Sequence, residues 1–166
     1  MTSFLKRSLA MAGIAGLTVA GAHFTMQAPA VAEDEPMATS ADAAIVYRKN
    51  VMSGIGSNAQ AMVAITKGDI RNDDAFSAHA DMLAIAADLT IDAFRQNTHG
   101  EGRERTTAKE NVWTDWDGFR RGFNGLAERA TVVADFAANG NMDAARAAMP
   151  DLMKACKACH EDFRTR

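Results

Sequence analysis

Disulfide-forming residues, helix breakers and aromatics are all scarce in this chain of 166 residues: two cysteines, three prolines, two tryptophans and one tyrosine. Both cysteines sit in one five-residue run near the C-terminus, so none is left for a structural disulfide. Few prolines beside abundant alanine and ten methionines, in a chain 48% hydrophobic, favour helix. No stretch alternates apolar and polar residues as a half-buried strand would, and no repeat stands out beyond the helical period. The length suffices for one domain with its own core. Basic charge is not in excess either. The formal net charge is −3, without the clustered basic face that a nucleic-acid partner requires, so that class of partner is excluded. No acid/base pair, nucleophile or second metal cluster is evident, which argues against an enzyme.

A long, strongly apolar run is missing too. Lys6 and Arg7 precede a small-residue apolar stretch over 8–22, which is Gly-rich and followed by His23. That is short of the roughly 20 strongly apolar residues a spanning helix needs. Ala30-Val31-Ala32 supplies an A-x-A cleavage site. The expectation is a cleaved secretory signal over 1–32, a short acidic linker over 33–38 and a single domain over 39–166. Export would place the domain in the bacterial periplasm with no stable membrane insertion. The mature chain would keep 16 basic and 21 acidic residues, a formal charge of −5.

What the chain does have is Cys156-Lys157-Ala158-Cys159-His160. Cys-x-x-Cys-His is the attachment signature for c-type haem: two thiols add to the haem vinyl groups and the imidazole binds the iron. On a helix, spacings of three and four bring Cys156, Cys159 and His160 to one face. A redox disulfide would belong beside a βαβ pattern, which is absent here. A zinc ribbon would need a second ligand pair. Export agrees with haem attachment, which in bacteria takes place outside the cytoplasmic membrane.

The rest reads as four helices. Thr39 and Ser40 offer caps to a first helix ending near Lys67 at Gly68, with Ile45, Met52, Ile55, Ala59 and Met62 as its apolar stripe. Arg48 interrupts that stripe, so it either snorkels to the bundle end or needs a buried partner. Gly54 and Gly56 weaken the helix and would let a planar group approach its backbone, unless they are filler. Asn72 caps a second helix reaching about Gln96, with Phe76, Leu83, Ala87, Thr90 and Phe94 inward. His79 lies at the edge of that face, where a structural role outweighs a second iron ligand. A polar loop follows over 97–107, with His99 in it. Val112, Trp116, Phe119, Phe123, Leu126, Ala130, Val133 and Ala137 then form the seam of an unbroken third helix. Trp113 falls off this seam and should flank a cofactor or cover a groove. Asn141 caps the fourth helix, in which Pro150 should kink the chain or restart the helix before the cysteines.

This arrangement resembles the class II c-type cytochromes, the cytochrome c-prime superfamily, over about residues 40–166. The ending from Cys156 to Arg164, the Tyr47-Arg48 pair with Met52 four residues later, and Asn111-Val112-Trp113 with Phe119 carry the likeness. The resemblance implies an all-α antiparallel four-helix bundle with one haem c, covalent through Cys156 and Cys159. By position, His160 would be the proximal ligand with Arg164 near it. Arg48 would approach the haem propionates, and Met52 would face the other side of the iron. Pro150 departs from the Gly found in many relatives.

Two mechanisms fit these residues. Met52 sulfur and His160 as two axial ligands would make a low-spin electron carrier that serves periplasmic redox partner proteins. Met52 merely packing over the haem would leave a five-coordinate iron open to NO or CO. The Arg48-x-x-x-Met52 spacing resembles the Met-ligated branch and favours the first. A homodimer through the first two helices is a further implication of the resemblance.

Overall fold

A computed structural model of the chain describes residues 38–165. The expected signal and nearly all of the linker lie outside them. The described residues form α1 (Ala41–Lys67), α2 (Asp73–Ala93), a single turn α3 (Asn111–Thr114), α4 (Trp116–Ala138) and α5 (Met142–Phe163), with no strand among them beyond one isolated bridge between Ala108 and Arg164. This is the expected all-α bundle of four long helices. None of them is long and apolar enough to cross a membrane.

Each long helix begins at a short polar side chain that accepts an otherwise orphaned backbone N–H. Ser40 Oγ accepts from Ala43 N, Asn72 Oδ1 from Ala75 N, Asp115 Oδ1 from Gly118 N and Asn141 Oδ1 from Ala144 N. Gly68 ends α1 in the left-handed region, φ 79°, where its N–H closes back onto Ala64 and Ile65 carbonyls.

Three of the expected helix limits shift. The second helix stops at Ala93 rather than Gln96: Arg95 N turns to Asp92 O, three residues back, and the Phe94 carbonyl accepts from Trp113 Nε1 at 2.8 Å. The third helix is not continuous. Asp115 leaves the helical region (φ −120°, ψ 55°) and uses its carboxylate to cap α4, splitting α3 from it. Pro150 neither restarts nor ends the fourth helix, and α5 runs through it. The proline is exposed, so the Arg146 carbonyl deprived of its donor lies on a face that water can reach.

The core follows the apolar stripes. Ile45, Met62, Phe76, Leu83, Ala130, Val133 and Leu152 are almost wholly buried. Phe119 is the hub of an aromatic cluster, with ring centroids 4.9 Å from Phe94, 4.9 Å from Phe123, 5.5 Å from Trp116 and 5.4 Å from Phe163. Helix α2 packs along α1 and α4, and α4 along α5, while α1 and α5 barely meet. One seam of the bundle is therefore left open.

Candidate functional site

The open seam between α1 and α5 is a cleft. Its larger lobe has a volume of about 950 Å³ and is walled by Ile55, Gly56 and Ala59 from α1, Phe123 and Leu126 from α4, and Met153, Cys156, Cys159 and His160 from α5. A smaller lobe of about 460 Å³ adds Arg48, Thr106 and Phe163. Both lobes include Met52, Cys159, His160 and Arg164. The combined space suits a large planar ligand, since small-molecule sites run to about 1,000 Å³.

Helix α5 puts the five-residue motif to use as its spacing requires. Cys156, Cys159 and His160 are half-buried toward the cleft, while Lys157 and Ala158 point to solvent. Burial raises the Cys156 thiol and pushes Cys159 up to about 11, with Cys156 and Asp162 adding to the effect. Such thiols stay protonated at neutral pH, unlike the acidic nucleophile of a redox Cys-x-x-Cys. Among the described residues no cluster of three or more His, Cys, Asp or Glu side chains exists to hold zinc. Burial, and then the charge of Arg164, lowers the His160 pKa, so its imidazole is neutral and able to ligate a metal.

The walls fit a porphyrin. At Gly56 no atom lies within 4 Å of where a Cβ would stand, and a Cβ at Gly122 of α4 would come 3.7 Å from Cys159 Sγ. Gly56 thus leaves the α1 wall flat where it faces the cleft, whereas Gly54 does not line it. Apolar side chains cover the flanks, and two thiols and an imidazole form the floor.

Arg48 does not snorkel. It is 1% exposed, with Nη1 donating to Thr98 Oγ1 at 2.5 Å and Nη2 to Thr106 Oγ1 at 3.1 Å. Its guanidinium lies 5.4 Å from the Phe94 ring centroid and 5.3 Å from that of Trp113, close enough for cation–π attraction. Burial lowers its pKa. Two hydroxyls and two rings thus surround a cation with no carboxylate of the described residues in contact. Trp113 serves this Arg48 cluster and is not part of the cleft wall. Thr98, placed by its sequence in the polar loop, is fully buried as the arginine's partner.

His79 stands apart from the cleft, with Nδ1 2.9 Å from Asn58 Oδ1. His99 is exposed, 3.9 Å from Glu110. Neither joins His160. Sequence reasoning missed Lys109, which lines the larger lobe and bonds to the last turn of α5. A lone lysine between a loop and a helix carries no periodic signal that could have singled it out.

A family profile described as Cytochrome C′ matches residues 43–164. The chain belongs to the cytochrome c′ family. Cytochrome c′ of Halomonas halodenitrificans is 33% identical over 128 residues, 73% of this chain and 95% of the relative. That of Pararhodospirillum photometricum is 31% identical over 125 residues, 75% and 98% of the two chains. Among solved structures, cytochrome c′ from Rubrivivax gelatinosus superposes with a TM-score of 0.69 at 23% identity, covering 76% of this chain and 98% of its own. A nitric oxide complex of a variant cytochrome c prime from Alcaligenes xylosoxidans gives 0.66 at 25% identity, covering 78% and 99%. As a cytochrome c′ the protein is a c-type haem cytochrome with one haem c, covalent through Cys156 and Cys159. The Met-ligated low-spin branch anticipated from the Arg48–Met52 spacing is not borne out: these relatives are cytochromes c′.

Proposed function

We propose that the protein is a periplasmic gas-binding cytochrome c′, with a five-coordinate haem that accepts NO or CO. The observation that carries this reading is membership of the cytochrome c′ family together with the nitric oxide complex of the solved relative. Haem c, when bound, would supply an iron able to take a small gaseous ligand. The chain's own residues do the rest. Cys156 and Cys159 tether the group to α5. His160, neutral and half-buried, would ligate the iron, with Arg164 beside it in the cleft. Met52, which lines both lobes from α1, would act as a flexible apolar plug that admits small uncharged ligands and hinders larger ones. Ile55, Phe123 and Leu126 keep the cleft apolar and exclude water. Arg48, at the edge of the smaller lobe, offers a cation for a propionate.

The electron-carrier reading would have Met52 sulfur on the iron. The absorption spectrum of the oxidised holoprotein separates the two. High-spin bands and ready CO binding by the reduced form are expected. Low-spin bands with a weak far-red sulfur-to-iron band would replace this proposal with the carrier. In Met52→Ala the spectrum should stay high-spin, while the CO association rate measured by stopped flow rises as the distal space opens.

A further inference from the structure

An α-helix leaves its last four carbonyls without intrahelical donors. In α5 these begin at the last residue of the haem motif: His160, Glu161, Asp162 and Phe163. The His160 carbonyl accepts from Arg164 N at 3.2 Å. The other three are taken by the segment entering α3. Lys109 Nζ donates to the carbonyls of Glu161 at 2.8 Å and Asp162 at 3.0 Å, and Asn111 Nδ2 donates to Asp162 at 2.8 Å. Lys109 N donates to Phe163 O at 2.9 Å. No left-handed glycine ends this helix; Arg164 leaves it extended, pairing with Ala108. Among the described residues Lys109 alone therefore grips the last turn through both backbone and side chain, and it sets a positive charge at the negative end of the helix dipole.

The same segment reaches the opposite wall of the cleft. Thr106 Oγ1 accepts from Arg48 Nη2 and from Ala108 N, each at 3.1 Å. Arg48 stands one helical turn before Met52 on α1. One short stretch, 106–111, is thus bonded at one end to the Met52 wall and at the other to the turn that carries His160.

We propose that Lys109 is the positioning residue for His160, holding the last turn of α5 so that the imidazole keeps its reach toward the iron. This rests on His160 being the proximal ligand. Without the ammonium, the Glu161 carbonyl loses its donor and the Asp162 carbonyl keeps only Asn111, and the turn relaxes along its axis and draws the imidazole away.

The test uses holoprotein carrying Lys109→Met, Lys109→Arg or Asn111→Ala, with Lys67→Met, at the far end of α1, as control. Two quantities are read: the iron–imidazole stretching band of the reduced protein by resonance Raman, and the rate at which the imidazole leaves when NO is added. Lys109→Met should lower the band frequency and speed imidazole loss roughly tenfold, the scale on which groups supporting a metal ligand act. Lys109→Arg should restore both, Asn111→Ala should shift both less in the same direction, and Lys67→Met should change neither. If Lys109→Met does not fold, Asn111→Ala and Lys109→Arg carry the comparison. Lower thermal stability with band and rate unchanged makes Lys109 a purely structural cap and overturns the proposal. If the native holoprotein shows no such band, His160 is not the ligand, and the functional reading falls along with it.

Discussion

Arg48 shows how a single side chain is held in a place where its charge is costly. The guanidinium is out of water, and its fork reaches Thr98 and Thr106 while two aromatic faces cover it. Arg48→Ala strands the buried Thr98 hydroxyl and empties the space between Phe94 and Trp113. A loss of about 3 kcal/mol in urea unfolding is expected, with faster amide exchange confined to the 97–107 loop. Asp42 anchors that loop from the other side. Its carboxylate accepts the backbone N–H groups of Glu104 and Arg103, in that order of influence, and lies below the ordinary carboxylate value of 3.8 as a result. Because the folded-state pKa is depressed, this contribution is present above about pH 4 and is lost as the pH falls through the lowered value. A melting-temperature series from pH 5 to pH 2.5 should show a steeper acid decline in the native protein than in Asp42→Asn. At this scale the sequence was legible only in part. The cysteines and His160 announce themselves because attachment chemistry demands fixed spacing. Thr98 and Lys109 do not, because a threonine in a polar loop and a lysine before a helix look solvated until a distant arginine or helix end arrives.

The helices were largely readable, for a physical reason: burial on one side imposes a 3–4 spacing that composition cannot mimic. The seam from Val112 to Ala137 is real, and six of its eight members are buried. The break at Asp115 escaped notice because a capping carboxylate shifts the stripe too little to disturb its period. Pro150 does not restart the fourth helix, one of the two outcomes its position allowed. A proline on an exposed face costs the helix one hydrogen bond, which water can replace, so α5 continues through it. Pro150→Ala should restore the N–H to Arg146 O and raise stability by up to about 3 kcal/mol, offset in part by a freer unfolded chain. Chemical denaturation of the holoprotein measures this, and the absorption spectrum should not change, since the motif lies beyond the substituted turn.

For the molecule as a whole, the decisive observation is that three seams of the bundle are packed and the fourth is not. Chain periodicity announces four amphipathic stripes and leaves silent which pair will stay apart. The cleft that results has apolar walls from α1, α4 and α5, and without its occupant those walls face water. A chain bearing Cys156→Ala and Cys159→Ala, exported without covalent haem, should unfold at markedly lower urea concentration than the native protein. Its slope should be shallower as well, because less apolar surface remains to be exposed. Equal midpoints would mean that the bundle closes by itself.

Seen this way, the porphyrin is masonry as well as chemistry. Held in the cleft as proposed, it would fill the joint between α1 and α5, two helices with almost no other common boundary. Whatever alters the iron's ligands therefore presses on both at once, and the outer surface near that joint is where a change in occupancy would first be felt.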